Sequence, residues 1–133
     1  MPDFLQILIV DDDPDDRELF CEAVAQIDYT IHCSQAKNGD EALKMLENNV
    51  MLPDYIFLDL NMPRMDGRQC LKKLKTCPLL QKIPVVIYST SKLQGDIDET
   101  AKNGAVYFIT KPSKLAHLQD AIRLVLSQQW VHA

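Results

Sequence analysis

The sequence has no excess of positive charge. It carries 14 Lys and Arg against 19 Asp and Glu, a formal net charge of −5, with a pI near 5.0. Sequence-independent nucleic-acid binding and docking on anionic membranes both need a basic surface, so neither partner is expected. No apolar run approaches the roughly 18 residues of a membrane span. The start, Met1-Pro2-Asp3-Phe4, lacks the basic opening and apolar stretch of a signal peptide. Only 4 glycines occur and no repeat is present, which excludes a fibrous chain. Cys21, Cys33, Cys70 and Cys77 include no CxxC pair, so neither a zinc site nor a redox motif is indicated. The expectation is four reduced, mostly buried thiols in a cytoplasmic protein.

What is present is the material of one ordinary domain. The 133 residues are 47% hydrophobic and 25% charged, enough to bury a core without staples. Apolar runs alternate with helix-period segments. The runs are Leu5 to Val10, the half-apolar Thr30 to Gln35, Tyr55 to Leu58, Pro84 to Tyr88 and Val106 to Thr110. Near-continuous apolar runs suit strands buried on both faces.

Between them, Asp13-Pro14-Asp15-Asp16 reads as a helix start, followed by a stripe of Leu19, Phe20, Ala23, Val24 and Ile27. Asn38-Gly39-Asp40 and Asp66-Gly67 open two more helices, one using Ala42, Leu43 and Leu46, the other Leu71 and Leu74. A weak helix over about Gln94 to Lys102 ends at Asn103-Gly104. The last helix presents Leu115, Leu118, Ala121, Ile122 and Val125. Five βα units predict a parallel sheet with helices on both faces and right-handed crossovers.

In such a sheet a site forms outside the carboxyl ends of the strands, so those residues are decisive. They are Asp11 and Asp12, then Asp59 with Asn61, then Ser89 and Thr90, then Lys111. Three converging carboxylates repel, and either one protonates or a cation sits among them. Oxygen-only donors favour a hard divalent ion such as magnesium. A lone lysine and a hydroxyl at the same rim suit a phosphoryl group, with one carboxylate as nucleophile.

Plainer roles compete for some of these residues. Asp13, Asp15 and Asp16 read as helix caps and dipole partners, and Lys72, Lys73 and Lys75 as a solvated helix face. Ser89 and Thr90 also suit strand-end backbone satisfaction, and Asp59 a structural ion pair with Lys111.

Taken together, Ile9-Val10-Asp11-Asp12-Asp13, Phe57-Leu58-Asp59-Leu60-Asn61-Met62-Pro63, Asp66-Gly67, Ser89-Thr90-Ser91 and Thr110-Lys111-Pro112 resemble the bacterial response-regulator receiver domain of the chemotaxis-regulator type. The resemblance covers essentially the whole chain and implies an α/β flavodoxin-like (βα)5 three-layer sandwich, its five-stranded parallel sheet in the order 2-1-3-4-5. It implies a single receiver domain over 1–133 with no output domain.

Residue by residue, it implies Asp59 as phosphoacceptor and Lys111 as the phosphate-binding lysine, with a cis bond frequent before the following Pro112. It implies Mg2+ (or Mn2+) held by Asp11, Asp12, Asp59 and the Asn61 backbone carbonyl. Ser89 aligns with the switch hydroxyl, Thr90 being one residue late. Phe108 aligns with the aromatic switch; lacking a hydroxyl, it is expected to favour its inward state. Asn61 and Ser91 align with the positions that tune dephosphorylation.

The implied protein is a two-component response regulator, not an enzyme beyond its own phosphorylation and dephosphorylation. Its partners would be a sensor histidine kinase or phosphotransfer protein and an unidentified downstream target. Docking, and a homodimer as one form of it, would use the surface of helix 4, strand 5 and helix 5. Trp130 is expected either to pack locally or to anchor an interface.

Two rivals stand beside this. A pseudo-receiver would bind partners without phosphorylation. An aspartate-nucleophile phosphatase of the haloacid dehalogenase type would need an acid/base Asp where Asn61 stands.

Overall fold

The computed structural model describes residues 4–48 and 52–128. Trp130 and His132 lie outside them. The elements are β1 (Gln6–Val10), α1 (Pro14–Ile27), β2 (His32–Ala36), α2 (Gly39–Asn48), β3 (Tyr55–Leu58), α3 (Gly67–Thr76), β4 (Val85–Ser89), α4 (Gln94–Lys102), β5 (Tyr107–Thr110) and α5 (Leu115–Ser127). All strand pairs are parallel, and the sheet order is β2-β1-β3-β4-β5. This is the flavodoxin-like arrangement.

Successive strand residues point to opposite faces, and the sheet divides its core accordingly. Leu8, Val10, Ile56, Leu58, Val85 and Ile87 pack with Ala42 and Leu46 of α2 and Cys70, Leu71 and Leu74 of α3. Ile7, Ile9, Phe57, Val86, Tyr88 and Ile109 pack with Phe20, Ala23 and Val24 of α1 and Leu118, Ile122 and Val125 of α5. Phe20 fills the centre of the second layer, its ring 4.8 Å from Phe57 and 5.5 Å from Tyr88 between centroids.

Local chemistry sets the helix ends. The Asp13 side chain accepts from the backbone N–H groups of Asp15 and Asp16, with Pro14 at the first helical position. Asp66 and Gln69 form a reciprocal capping box at α3. Asn38 caps α2 by accepting from Glu41 N–H at 2.8 Å. Gly104 follows α4 at φ 107°, a backbone conformation costly for other residues.

Several expectations need correction. β2 begins at His32, because Thr30 is held in a turn by both its N–H and its hydroxyl on Asp28. Leu19 is exposed; at about 100° per residue it falls well to one side of the Phe20–Ala23–Val24–Ile27 stripe. Lys75 is not a solvated side chain, since its ammonium donates to the carbonyls of Gln81 and Ile83 at 3.0 and 2.8 Å.

Not all four cysteines are free. Cys21 and Cys33 form a disulfide between α1 and β2, while Cys70 and Cys77 are unpaired. Cys21 lies on the flank of the α1 stripe opposite Leu19, which brings it to the edge strand. No peptide bond among the described residues is cis, so Lys111–Pro112 is trans. No described helix is long and apolar enough to cross a membrane.

Candidate functional site

The rim is built by extending strand parity past the strand ends. Ile7 and Ile9 face α1 and α5, and Asp11 is next in that row; Phe57 leads likewise to Asp59, and Ile109 to Lys111. Three charged groups therefore emerge on one side of one rim. Backbone bonds fix their bases: Asp11 N–H donates to Ala36 O at 3.1 Å, Asp59 N–H to Val10 O at 2.9 Å, and Lys111 N–H to Ser89 O at 2.7 Å.

One ligand oxygen each from Asp11, Asp12 and Asp59 lies within 4.8 Å of the others. Asp11 and Asp59 are buried and Asp12 is exposed, so the cluster opens to solvent on one side. The Lys111 ammonium sits 2.7 Å from Asp11, 2.9 Å from Asp16 and 3.8 Å from Asp59. It also lies 5.2 Å from the centre of the Tyr88 ring, within cation–π range.

Burial pushes the Asp59 carboxyl up to about 6, and the charges of Asp11 and Asp12 add to the rise. Lys111 and the Asn61 backbone N–H oppose it. Asp11 is likewise raised, by burial above all, against hydrogen bonds from Lys111 and the Asp13 N–H. Burial alone would lower the Lys111 ammonium, but the hydrogen bonds to Asp11 and Asp16 and the nearby carboxylates hold it above its ordinary value.

Across the rim, hydroxyls replace charges. Ser89 is fully buried, and its Oγ accepts from Ser91 N–H at 3.2 Å. Thr90 is exposed. The Ser91 hydroxyl donates to Asp96 at 2.6 Å, and the Thr110 hydroxyl donates to Ser91 O at 2.9 Å. Arg68 at the start of α3 pairs with Asp96 at 2.6 Å and Glu99 at 2.9 Å. Phe108 is half-buried against the α2–α3 layer and lines a cavity of about 290 Å³ with Ile97, Thr100 and Ala101 of α4.

The structure thus brings Asp11, Asp12, Asp59 and Lys111 together, with the Asn61 N–H on Asp59. Ser89 ends β4, Ser91 lies in the β4–α4 loop that follows, and Phe108 occupies the groove behind it.

Sequence reasoning missed three contributors. Asp16, read as a helix-dipole acid, pairs with Lys111. Arg17 donates to Asp11 O at 2.7 Å and to Gln35 at 3.1 Å, bridging the rim to the edge strand. Gly67 is more than part of a cap. A Cβ there would stand 2.1 Å from the Asp59 carbonyl oxygen and 2.6 Å from Leu60 Cα, so the α3 start approaches the Asp59 loop as only glycine permits. The Asp66-Gly67 pair marked the helix start without revealing that approach.

The response regulator receiver domain family matches residues 7–123. The chain belongs to that family. Receiver domains are in general phosphoryl acceptors rather than enzymes, they interact with histidine kinases or phosphotransfer proteins, and they bind Mg2+ or Mn2+ at an acidic pocket.

The chain is similar to the phosphorylated cyanobacterial phytochrome response regulator RcpA, at 32% identity and TM-score 0.86, over 98% of this chain and 99% of that one. It is also similar to the Mn2+-bound form of response regulator Rcp1, at 28% identity and TM-score 0.80, over 92% of each chain. Response regulator Rre1 of Synechocystis sp. is 30% identical over 129 residues, 97% of this chain and 54% of that protein. The chain spans about half or less of the length of the first curated relatives it matches, 50% and 32% in two cases.

Proposed function

We propose that this receiver accepts a phosphoryl group on Asp59 from a histidine kinase or phosphotransfer protein in the cytoplasm. The observation that carries the reading is the meeting of Asp11, Asp12 and Asp59 with the Lys111 ammonium at one rim. A structural ion pair alone would need one carboxylate for one ammonium. Here Asp11, Asp16 and Asp59 surround a single lysine and Asp12 joins the carboxylate cluster, leaving an excess of negative charge and a solvent-facing side at Asp12.

The donors fit a hard divalent ion. They are oxygens only, and two of the three carboxylates are buried where unpaired charge is expensive. Asp11, Asp12, Asp59 and the Asn61 carbonyl would hold Mg2+ (or Mn2+). When bound, the ion would offset the charge that gathers on the incoming phosphoryl oxygens. Rcp1 has been crystallised with Mn2+ and RcpA in phosphorylated form, which favours both parts of this reading.

In the proposed transfer an Asp59 carboxylate oxygen attacks phosphorus and forms the acyl phosphate. The P–N bond of the donor phosphohistidine breaks, and the imidazole leaves with the electron pair. Lys111, held charged by its carboxylate partners, neutralises a phosphoryl oxygen. Ser89 gives up its bond with Ser91 N–H and donates its hydroxyl to another. Asn61 and Ser91 flank the group and set how readily water reaches it.

Movement of Ser89 carries the β4–α4 loop, while Phe108 lies in its groove beside α4 even without the phosphoryl group and gates the change less than a tyrosine would. The α4–β5–α5 surface then differs between the two states, and a target protein or a second copy reads that difference.

Intact mass spectrometry after incubation with Mg2+ and acetyl phosphate tests this. One phosphoryl adduct is expected on the wild type and none on Asp59→Asn. Equal adducts on both would overturn Asp59 as acceptor.

A further inference from the structure

We propose that Cys21 and Cys33 form a reversible dithiol–disulfide site, exchanged with low-molecular-weight disulfides, that clips helix α1 to the edge strand β2. The two residues are 12 apart in sequence and their Cα atoms 5.7 Å apart, the separation a disulfide requires. The sequence alone hides the pair, because the approach exists only once α1 has packed across the sheet edge.

Both cysteines are half-buried, so a small reagent can reach them. Cys70, by contrast, is fully buried, and burial pushes its thiol up to about 12, which makes it inert toward exchange. The reduced state is also provided for. The Cys33 carbonyl oxygen lies 3.8 Å from the Cys21 sulfur, near enough to accept an S–H from Cys21 once the bridge is opened.

The clip lies where the fold is thinly held. β2 pairs with β1 alone and buries a single residue, Ala36. A second tie to α1 among the described residues is the Arg17–Gln35 hydrogen bond, one helical turn before Cys21 and two strand residues after Cys33. The disulfide therefore continues a ladder of contacts whose first rung, Arg17, also bonds the Asp11 carbonyl at the rim. Fastening the edge strand fixes the helix that carries Asp16 and Arg17.

The exchange balances without metal or oxygen. One cysteine thiolate attacks an external disulfide, RSSR, and forms a mixed disulfide while RS− leaves. The second thiolate attacks the protein sulfur of that mixed bond and expels the other RS−. Two protein thiols are oxidised, the external disulfide is reduced to two RSH, and excess thiol reverses both steps.

The test uses the whole chain in glutathione buffers of increasing disulfide fraction, quenched with acid and alkylated with N-ethylmaleimide in denaturant. The oxidised protein should lose two alkylation sites and yield a Cys21–Cys33 linked peptide. Dithiothreitol applied to the folded protein should restore both sites.

Oxidation should raise the Tm by roughly 5–10 °C, as closing a loop of about a dozen residues predicts. Cys21→Ser and Cys33→Ser should each lose that response. The wild-type comparison stands without either variant. A linkage to Cys70 or Cys77, a bridge that dithiothreitol cannot open in the folded state, or a Tm indifferent to oxidation would overturn the proposal. None of these readouts depends on phosphorylation.

Discussion

The two sides of the rim are held by different chemistry. On the α1 side, Lys111 joins Asp11, Asp16 and Asp59 in a largely buried ionic cluster, with Arg17 bracing the Asp11 backbone. On the α4 side, Ser89, Ser91 and Thr110 hold the loop through hydroxyl bonds, and the closing Arg68–Asp96 pair is partly exposed. Buried charges deprived of a partner have nowhere to turn, so the first side is stiff. Hydroxyl bonds exchange acceptors at little cost, because water or another oxygen replaces what is lost. A new phosphoryl group would thus move the second side and leave the first as its anchor. A ligand shifts a two-state equilibrium only through contacts that differ between the states, and the α4 side is where contacts can differ.

The largest expected effect comes from dismantling the anchor. Lys111→Met leaves Asp11 buried without its cation and brings it against Asp59 with less opposition. Unfolding in urea should show a loss of about 3–4 kcal/mol in metal-free protein near neutral pH. The loss should shrink toward pH 5, where the carboxyls take up protons. A variant as stable as wild type at every pH would refute a stiff ionic side.

Gly67→Ala attacks the support beneath both sides. The added methyl meets backbone atoms of Asp59 and Leu60 that have no rotamer to escape into. A cost of about 2–4 kcal/mol is expected, together with slower phosphorylation by acetyl phosphate. Full stability with full reactivity would mean that the α3 start can shift without disturbing Asp59.

Asp59→Asn sharpens the comparison in the opposite direction, since it relieves the ionic side. The folded Asp59 carboxyl titrates at about 6, against about 4 in an unfolded chain. Below the unfolded value both states hold the proton. As pH rises toward 6 the unfolded chain releases it first, so its contribution to stability declines across that window and stays reduced above it. Metal-free Asp59→Asn should therefore be more stable than wild type by about 2–3 kcal/mol at pH 7. Its stability should also fall less between pH 4 and 6. A lower melt than wild type would defeat the repulsion argument.

The anchor was largely legible in the sequence, for a physical reason. Each of β1, β3 and β5 is an apolar run ending in a charge that continues its α1–α5-facing row, as Ile7-Ile9-Asp11, Phe57-Asp59 and Ile109-Lys111 do. Parity along a strand is exact enough to predict convergence without coordinates. The sheet order itself came with the family resemblance.

What stayed hidden depends on angles between elements. Asp16 reaches Lys111 only because α1 returns over the rim, so a helix acid turned out to be an ion-pair partner. The Cys21–Cys33 approach needs the α1–β2 crossing, and the Gly67 approach needs the fold-back of α3 onto β3. Leu19 failed as a core residue because a 14-residue helix presents a stripe narrower than the apolar residues it carries.

The smallest effect, and the one that isolates the hydroxyl side, is expected from Arg68→Ala. Arg68 touches none of the anchor residues; its guanidinium spans Asp96 and Glu99 on α4. Both it and the Ser91 hydroxyl hold the Asp96 carboxyl below its usual range, so Asp96 keeps its charge for the remaining partner when Arg68 is gone. Tm should change by no more than about 2 °C, as partly exposed pairs contribute little. Amide exchange in residues 90–96 should nevertheless quicken several-fold, with β1 and α1 unchanged. The phosphomimic beryllofluoride should bind slightly tighter, because the unphosphorylated loop loses a restraint that the switched state does not need. If instead the loop exchanges as slowly as in wild type while the Tm drops by 5 °C or more, Arg68 belongs to the rigid frame and the division between a stiff side and a movable side is wrong.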